Sequence, residues 1–354
     1  MPSFVRDSYP SSGCYLNSLG NSNKVRMMSV REVKWGIIGC GDVTEVKSGP
    51  AFNKVPGSSL VAVMRRNADK AADYARRHNV PRWYNDVNEL INDPGVNAVY
   101  VATPPQTHAA YTRLALEAGK PVYVEKPMGM DAGECEQMVR VSEEKGLPLF
   151  VAYYRRALPY FLKVKELVDS GSIGDVKLVN LKLLWPAKPE ERVGNPGWRV
   201  NPDISGGGHF HDLASHQIDF LDYLLGPVKT AVGVNTNQAS LYVADDIVSA
   251  SLEFESGVIG NGVWCFTVSP EQISENTEII GSKGRIMFSF FSDNKIRLEK
   301  ETDMEEFEIA HPDHVQQPLI EQVVSELLGL GKCVSTGKTG LRATRIMDQI
   351  LDRS

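Results

Sequence analysis

A glycine turn directly after the first apolar segment limits the folds that this chain can adopt. Residues 33–39 are mostly apolar, and Gly39 and Gly41 follow as a closely spaced pair. An apolar strand that ends in such a pair is typical of the strand–turn–helix unit that begins a doubly wound sheet. There the glycines permit a tight turn and the close approach of a phosphate. Two purely structural glycines in a turn are the alternative interpretation.

Apolar strands alternate with helices as far as residue 154. The predicted strands are 33–39, 59–64, 97–104, 120–127 and 147–154, and the predicted helices are 67–79, 107–119 and 131–146. Near-continuous apolar strands separated by helices are typical of a parallel sheet covered on both faces. The glycine turn therefore lies in an α/β unit.

After residue 154 the pattern changes to successive strands in which polar and apolar residues alternate. Helices are predicted at 158–170, 209–225, 318–330 and 339–351, and strands at 174–185, 228–236, 246–255, 258–268, 276–280, 285–291, 295–301 and 305–310. This alternation favours an open antiparallel or mixed sheet with one covered face. We therefore expect a second domain of α+β type.

Composition excludes several classes of protein. The 354 residues include 38 Lys and Arg against 44 Asp and Glu, and no basic run suggests nucleic-acid binding. No apolar stretch reaches the ~18–20 residues that span a bilayer. The five cysteines are scattered, which favours a reducing, cytoplasmic environment.

The N-terminal residues 1–32 lack the periodicity of a helix or a strand. They are rich in Ser and Asn and contain only two acidic residues, Asp7 and Glu32. We predict a disordered extension. The same composition fits an upstream extension before a start at Met27 or Met28, and a transit peptide is the alternative.

The end of the second strand favours NADP(H) over NAD(H). An acidic residue that binds the ribose 2′-hydroxyl is usual there, whereas this chain has Arg65 and Arg66. Guanidinium groups suit a 2′-phosphate. The alternative is that both arginines are merely solvated. The predicted contacts to the phosphates and the ribose are Gly39, Gly41, Asp42, Val43, Arg65 and Arg66.

The first candidate catalytic group follows the strand at 120–127. Glu125 and Lys126 lie at its carboxyl end, where ligands bind in parallel sheets. Pro127 restricts the chain and can direct Lys126 into the crevice. The ammonium group can stabilise a developing alkoxide. An exposed lysine without a role is the alternative.

The second candidate group lies on the helix that follows three glycines at 206–208. Asp212 and His216 are four residues apart and can meet on one helix face, where the carboxylate would favour the protonated imidazole. A purely structural Asp–His pair is one alternative. A zinc site that includes His209 and His211 is another, but those two histidines point to different sides, so we predict no metal.

Four motifs in this order resemble the glucose–fructose oxidoreductase/inositol dehydrogenase/rhizopine catabolism (Gfo/Idh/MocA) family. They are the glycine turn, "ATPPQTH" at 102–108, "EKP" at 125–127 and "GWRVNPDISGGGHFHDLASHQIDFLDYLLG" at 197–226. The resemblance implies an N-terminal Rossmann domain at 33–153 and a C-terminal domain at 154–354 with a large, open, mostly antiparallel sheet. Thr44, in place of the third glycine of the turn, and Arg65 depart from the pattern.

The resemblance also implies hydride transfer between a nicotinamide and a carbon of a sugar or cyclitol. The residues that it adds to the cofactor site are Thr103, Pro104, His108, Glu125 and Lys126, and those that it places near the substrate are Tyr154, Arg156, Trp198, Arg199, Asp212 and His216. It makes Lys126, His216 and Asp212 the catalytic residues.

The leading functional prediction is an NADP(H)-dependent oxidoreductase of sugars or polyols. His216 would exchange the hydroxyl proton, Lys126 would polarise the C–O bond, and Asp212 would orient His216 or contact the substrate. A non-catalytic nucleotide or sugar sensor and a dehydrogenase of non-sugar diols are the alternatives. We expect a homodimer or homotetramer, because apolar residues at 258–268 and 285–291 would make the open sheet face adhesive.

Overall fold

The computed structural model describes residues 31–353, which form two sheets with helices packed against them. The extension predicted for residues 1–32 lies outside this range except for its last two residues. Within residues 31–353 no helix combines the length and the apolar character needed to cross a membrane.

The first sheet is parallel and contains six strands in the order β3-β2-β1-β4-β5-β6. The strands are β1 (Val33–Ile38), β2 (Ser58–Met64), β3 (Arg82–Tyr84), β4 (Ala98–Val101), β5 (Val122–Val124) and β6 (Leu149–Val151). The helices are α1 (Asp42–Val46), α2 (Ala51–Lys54), α3 (Ala68–Arg77), α4 (Val87–Asn92), α5 (His108–Glu117) and α6 (Ala132–Lys145). The strand order reverses between β1 and β4, which creates a crevice at their carboxyl ends.

One strand of this sheet and one helix beside it were absent from the sequence-based prediction. The strand β3 has three residues, none of them buried, and α4 has six. Neither is long enough to produce a recognisable period of apolar residues. β3 forms because its backbone pairs with the edge of β2.

The second sheet has eight strands in the order β14-β13-β12-β11-β7-β10-β9-β8. The strands are β7 (Val176–Leu184), β8 (Val228–Thr236), β9 (Ile247–Phe254), β10 (Ile259–Cys265), β11 (Ser274–Gly281), β12 (Arg285–Phe288), β13 (Lys295–Lys300) and β14 (Asp303–Glu308). The helices are α7 (Pro159–Asp169), α8 (Pro189–Arg192), α9 (Pro202–Ser205), α10 (Gly208–Leu225), α11 (Gln317–Leu327) and α12 (Gly337–Ile350). All neighbours are antiparallel except β7 and β10, so the predicted fold class is confirmed.

One face of this sheet is covered and the other is open. Along β9, Val248, Ala250 and Leu252 are buried, whereas the intervening Ser249 and Ser251 are exposed. This alternation with a period of two places the apolar side chains on the covered face, where Trp264 of the adjacent β10 packs against Phe210 of α10 at 5.1 Å between ring centroids and donates to Gln217 Oε1 at 2.6 Å. Packing against the sheet therefore fixes the position of α10.

The end of the chain returns to the first sheet. Helix α12 packs against α6, and the Ser335 hydroxyl donates to the Val151 carbonyl at 2.7 Å. Before α11, the Gln316 backbone N–H donates to the Lys47 carbonyl at 3.1 Å, just beyond α1. The C-terminal segment thus contacts the edge of the crevice.

Candidate active site

The glycine turn between β1 and α1 leaves one side open. Gly39 has a φ of +94°, and a Cβ atom there would lie 2.7 Å from Thr103 Cγ2. A Cβ atom on Gly41 would meet only the Gly39 carbonyl oxygen, at 3.9 Å. The space beside Gly41, just before Asp42 and Val43 begin α1, is therefore free for a phosphate. The turn fits a nicotinamide dinucleotide.

Thr44 occupies the position where the usual turn has a third small residue. Its side chain is fully buried, and its hydroxyl donates to the Gly41 carbonyl at 2.7 Å. The Tyr74 hydroxyl donates to the Thr44 carbonyl at 2.8 Å. Because the Thr44 hydroxyl is satisfied inside the turn, this departure from the usual pattern leaves the turn intact.

Two arginines follow β2 on the other side of the turn. Arg65 is partly buried, and its Nη1 atom donates to the Cys40 carbonyl at 3.2 Å, within the glycine turn. Arg66 is exposed, and Asn67 uses its side chain to cap α3. The guanidinium of Arg65 therefore lies where a carboxylate would contact the ribose of NAD(H).

The loop after β4 is held by a buried histidine. His108 Nε2 lies 2.7 Å from the Thr103 carbonyl oxygen, and Nδ1 lies 2.9 Å from that of Pro127. Burial lowers the pKa of His108. The ring thus joins the loop that contains Thr103 and Pro104 to the loop after β5. His108 shapes the crevice through these backbone contacts.

Glu125 is buried beneath the loop after β5, with both carboxylate oxygens engaged. It accepts hydrogen bonds from the Tyr100 hydroxyl, from Gln316 Nε2 at 2.6 Å and from the Lys126 backbone N–H at 3.1 Å. The Tyr123 hydroxyl in turn donates to Gln316 Oε1 at 2.9 Å. Glu125 therefore positions the backbone of Lys126.

Lys126 joins the two domains. Its Nζ atom donates to Asp212 Oδ1 at 2.6 Å and to the Asp212 carbonyl oxygen at 2.9 Å. Asp212 lies in the first turns of α10, which follow Gly206 and Gly208, both at positive φ. Burial acts to raise the pKa of Asp212, but Lys126 and Arg199 outweigh it and lower that pKa to about 2. An anionic Asp212 thus holds the ammonium group at the crevice.

His216 lies one turn further along α10 and is almost fully buried. Its ring is edge-on to Tyr154, with 5.1 Å between ring centroids, and its Nδ1 atom has no hydrogen-bond partner within residues 31–353. Burial, together with the charges of Arg155 and Lys126, lowers the pKa of His216 well below its usual value. The expectation that Asp212 favours a protonated His216 is therefore wrong. The carboxylate binds Lys126, and the neutral imidazole can accept a proton.

Arg156 was expected near the substrate, but its guanidinium is buried in the C-terminal domain. Nε and Nη2 donate to the two Asp219 carboxylate oxygens at 2.8 and 2.7 Å, and Nη1 donates to the Val334 carbonyl at 3.1 Å. Since every guanidinium nitrogen already donates within the protein, the expected contact of Arg156 with the substrate is wrong. Arg155, its neighbour, lies against the Tyr154 ring beside His216.

A cavity of about 290 Å³ adjoins Asp212 in the C-terminal domain. One part of its wall is apolar, with Trp185, Leu213, Phe266 and Ile273, and another is charged, with Lys188, Arg199 and Asp212. The Arg199 guanidinium stacks at 4.6 Å over the ring of Trp198, which is partly exposed. Because Asp212 also binds Lys126, this cavity is the candidate substrate pocket.

A larger cavity of about 700 Å³ lies between the start of α6 and α12. Its charged wall includes Arg345, which forms an ion pair with Glu136 at 2.8 Å. Neither Lys126 nor Asp212 lines it. The larger cavity is therefore separate from the candidate site.

The histidines before His216 have other surroundings. His209 Nε2 lies 2.8 Å from the buried Glu191 carboxylate, and His211 is buried beside the glycine turn at Gly206 and Gly207. The part of the chain that the structure describes contains no group of three or more potential ligands that could hold a metal ion.

Several site residues were missed by the sequence analysis, above all Gln316, Tyr100 and Arg155. A carboxylate at a buried strand end needs hydrogen-bond donors, so the presence of Glu125 in the sequence indicates that donor side chains lie near it. Nothing in the sequence indicates that one of them comes from Gln316, which is 191 residues away.

Comparisons with known proteins identify the class to which this fold and site belong. Residues 33–153 match the oxidoreductase family with an NAD-binding Rossmann fold, and residues 161–287 match the GFO/IDH/MocA C-terminal domain. Oxidoreductase P35 of Formosa agariphila is 40% identical over 322 residues, which cover 89% of this chain and 97% of that protein. The chain therefore belongs to the Gfo/Idh/MocA family, and it is an oxidoreductase that binds a nicotinamide cofactor.

Two further relatives extend the comparison. The trans-1,2-dihydrobenzene-1,2-diol dehydrogenase of Sus scrofa is 31% identical over 263 residues, which cover 71% of this chain and 72% of that enzyme. The structure of a levoglucosan dehydrogenase in complex with NADH and levoglucosan superposes with a TM-score of 0.80, at 21% identity. The superposition covers 91% of this chain and 97% of the levoglucosan dehydrogenase chain, and this similarity supports the fold.

Proposed function

We propose that this enzyme transfers a hydride between NADP(H) and a carbinol or carbonyl carbon of a sugar or cyclitol. The contact between Lys126 and Asp212 carries the proposal. It lies where the crevice of the first sheet meets the pocket of the second domain, so one ammonium group can face both a nicotinamide and a substrate oxygen.

The side chains support alcohol oxidation as follows. His216, a neutral imidazole whose Nδ1 atom has no hydrogen-bond partner within residues 31–353, accepts the hydroxyl proton on a ring nitrogen. The Lys126 ammonium donates a hydrogen bond to the same oxygen and stabilises its developing negative charge. Asp212 holds Lys126 in place, and Glu125 fixes the backbone from which Lys126 extends. The nicotinamide, when bound, supplies the hydride acceptor.

Turnover by the purified enzyme tests this function. We expect NADP⁺ reduction, followed as absorbance of the reduced nicotinamide, with at least one member of a panel of aldoses, cyclitols and sugar acids. A Lys126→Met variant that still binds NADPH is the matched control and should show almost none of this activity. Wild-type protein that binds NADPH but oxidises no panel member, and reduces no matching keto compound, would instead be a sensor.

Oxidation of a non-sugar diol is the second candidate function. Trp185 and Phe266 give the pocket aromatic walls, and the relative from Sus scrofa is named for a dihydrobenzene diol. The charged residues Lys188 and Arg199 in the same wall favour a more polar substrate. A dihydrobenzene diol in the panel separates the two functions. If sugars are the substrates, kcat/KM for the diol should be well below that for the best sugar.

Arg65 is the residue that we propose reads the 2′-phosphate of the cofactor. A charge-assisted hydrogen bond contributes about 1.5–3 kcal/mol, or roughly 10–150-fold in affinity. We therefore expect kcat/KM to be higher with NADP⁺ than with NAD⁺ by that order. Arg65→Asp should abolish or reverse the preference, and Arg113→Asp on the exposed side of α5 is the control. Equal kcat/KM for both cofactors in the wild-type enzyme would contradict the role of Arg65.

We propose that the enzyme forms a homodimer or homotetramer through the open sheet face. Val232 and Val234 on β8 are 60% and 75% exposed, and Ile259 and Val263 on β10 are 45% and 37% exposed. β8 and β10 flank β9 in the sheet, and their exposed valine and isoleucine side chains favour association. Light scattering at micromolar concentration should show a dimer or larger, and Val234→Lys with Val263→Lys should shift it toward monomer. A wild-type monomer at that concentration would contradict the proposal.

A further inference from the structure

The candidate substrate pocket contains more positive than negative charge. Among its lining residues, Lys188 and Arg199 are cationic and Asp212 is anionic. The charge of Asp212 is already matched by Lys126, whose Nζ atom lies 2.6 Å from Oδ1. Among the lining residues, the positive charges of Lys188 and Arg199 are therefore left without a matching lining carboxylate.

Neither cation is strongly neutralised by the protein. Lys188 has no ion pair within 4.0 Å in the described part of the chain, and Arg199 Nε lies 3.5 Å from Asp212 Oδ2, longer than a charge-assisted hydrogen bond. The Glu191 carboxylate, which is buried close to Lys188, is engaged within the protein: it lies 2.8 Å from His209 Nε2 and accepts a hydrogen bond from the Lys188 backbone N–H at 2.9 Å. The arginine fork and the lysine are thus available to a ligand.

The remaining wall suits the face of a ring. Trp185, Leu213, Phe266 and Ile273 form an apolar surface, and a volume of about 290 Å³ is close to the lower limit for small-molecule sites. The C–H faces of a pyranose stack on such a surface, while its polar substituents point to the edges. The cavity fits one ring with a charged substituent.

We infer that the substrate is a sugar acid, whose carboxylate binds Arg199 and Lys188 while a ring hydroxyl lies at Lys126. A carboxylate matches the planar fork of an arginine in a bidentate manner. A phosphate dianion is disfavoured, because Asp212 lies beside Arg199 and repels the second charge. This inference rests on the proposed function, since it assigns the charged substituent of the substrate of that reaction.

Binding measured by calorimetry, with NADP⁺ present, tests the inference without requiring turnover. Matched pairs of ligands differ only in the C6 group: glucuronate with glucose, galacturonate with galactose, and mannuronate with mannose. We expect at least one acid to bind roughly 10–150-fold more tightly than its neutral partner, the range for one charge-assisted hydrogen bond. The preference should weaken with increasing salt, because the lysine is exposed.

Variants assign the preference to the two cations. Arg199→Met should reduce the ratio of acid to neutral affinity by about tenfold or more, and Lys188→Met by less, because a solvated lysine contributes less than an arginine fork. Arg199→Lys should recover part of the ratio. Lys338→Met, which removes an exposed charge on α12, is the control for net charge and should leave the ratio unchanged.

The outcomes separate the two levels of the proposal. Equal affinity for all acid–neutral pairs, or a preference that survives Arg199→Met, would overturn the sugar-acid inference even if neutral sugars are oxidised. Tighter binding of glucose 6-phosphate than of every uronate would replace the carboxylate with a phosphate and also overturn it. Acid binding that depends on Arg199 without any NADP⁺ reduction would support the pocket assignment and contradict the proposed function.

Discussion

Lys126→Ala is expected to lower kcat by roughly 10²–10⁴, the range for removal of a positioned acid, base or charge-stabilising group. The ammonium extends from the end of β5 and lies 2.6 Å from Asp212 across the crevice, where it can contact a substrate oxygen. NADPH affinity should change little, because the glycine turn and Arg65 are untouched. Stopped-flow hydride transfer and NADPH fluorescence titration measure the two quantities separately.

His216→Gln should cause a loss of the same order, together with a change in pH dependence. Because burial lowers the pKa of His216 well below 6.5, the wild-type enzyme keeps a neutral base over the physiological range. The acid limb of kcat/KM for oxidation should therefore lie well below pH 6.5 in the wild type and disappear in the variant.

Two controls accompany these variants. Lys163→Ala on α7 removes a partly buried lysine outside the site, and Asp212→Asn keeps the size of the side chain that holds Lys126. The asparagine should cost less activity than loss of the lysine, because its amide oxygen still accepts a hydrogen bond. Full turnover by either Lys126→Ala or His216→Gln would contradict the catalytic assignment.

Arg156→Met is expected to reduce the free energy of unfolding by ~3–5 kcal/mol, the cost of breaking a buried ion pair on one side. The substitution leaves the buried Asp219 without its guanidinium partner. Asp222, whose carboxylate lies 3.8 Å from the same guanidinium, also loses a nearby positive charge. Chemical denaturation followed by fluorescence measures the loss.

A double variant distinguishes a buried pair from a substrate contact. Arg156→Met combined with Asp219→Leu removes both charges and should recover much of the stability, since apolar replacements of buried pairs are often neutral or stabilising. The exposed Arg140→Met on α6 is the control for loss of an arginine and should change stability little. A normal unfolding midpoint together with a raised KM in Arg156→Met would indicate that Arg156 contacts the substrate and would contradict its structural role.

Much of the fold could be predicted from the sequence because its signals are local. Apolar runs and the alternation of polar and apolar residues predicted most strands and helices. The strand–turn–helix unit at Gly39 and Gly41 predicted a nucleotide crevice from the local sequence alone. β3 and α4 escaped prediction because three and six residues carry too little pattern.

The sequence alone determined which chemical groups the site contains, since the glycine turn, Lys126, Asp212 and His216 are marked by local motifs. The tertiary structure decided how they pair. Asp212 is four residues from His216 but binds Lys126, 86 residues away, because a carboxylate in a poorly solvated crevice is stabilised most by a full positive charge. Burial likewise left His216 neutral and committed Arg156 to Asp219. Helical spacing indicates which side chains can contact each other, whereas burial and charges from distant parts of the sequence determine which of them form a pair.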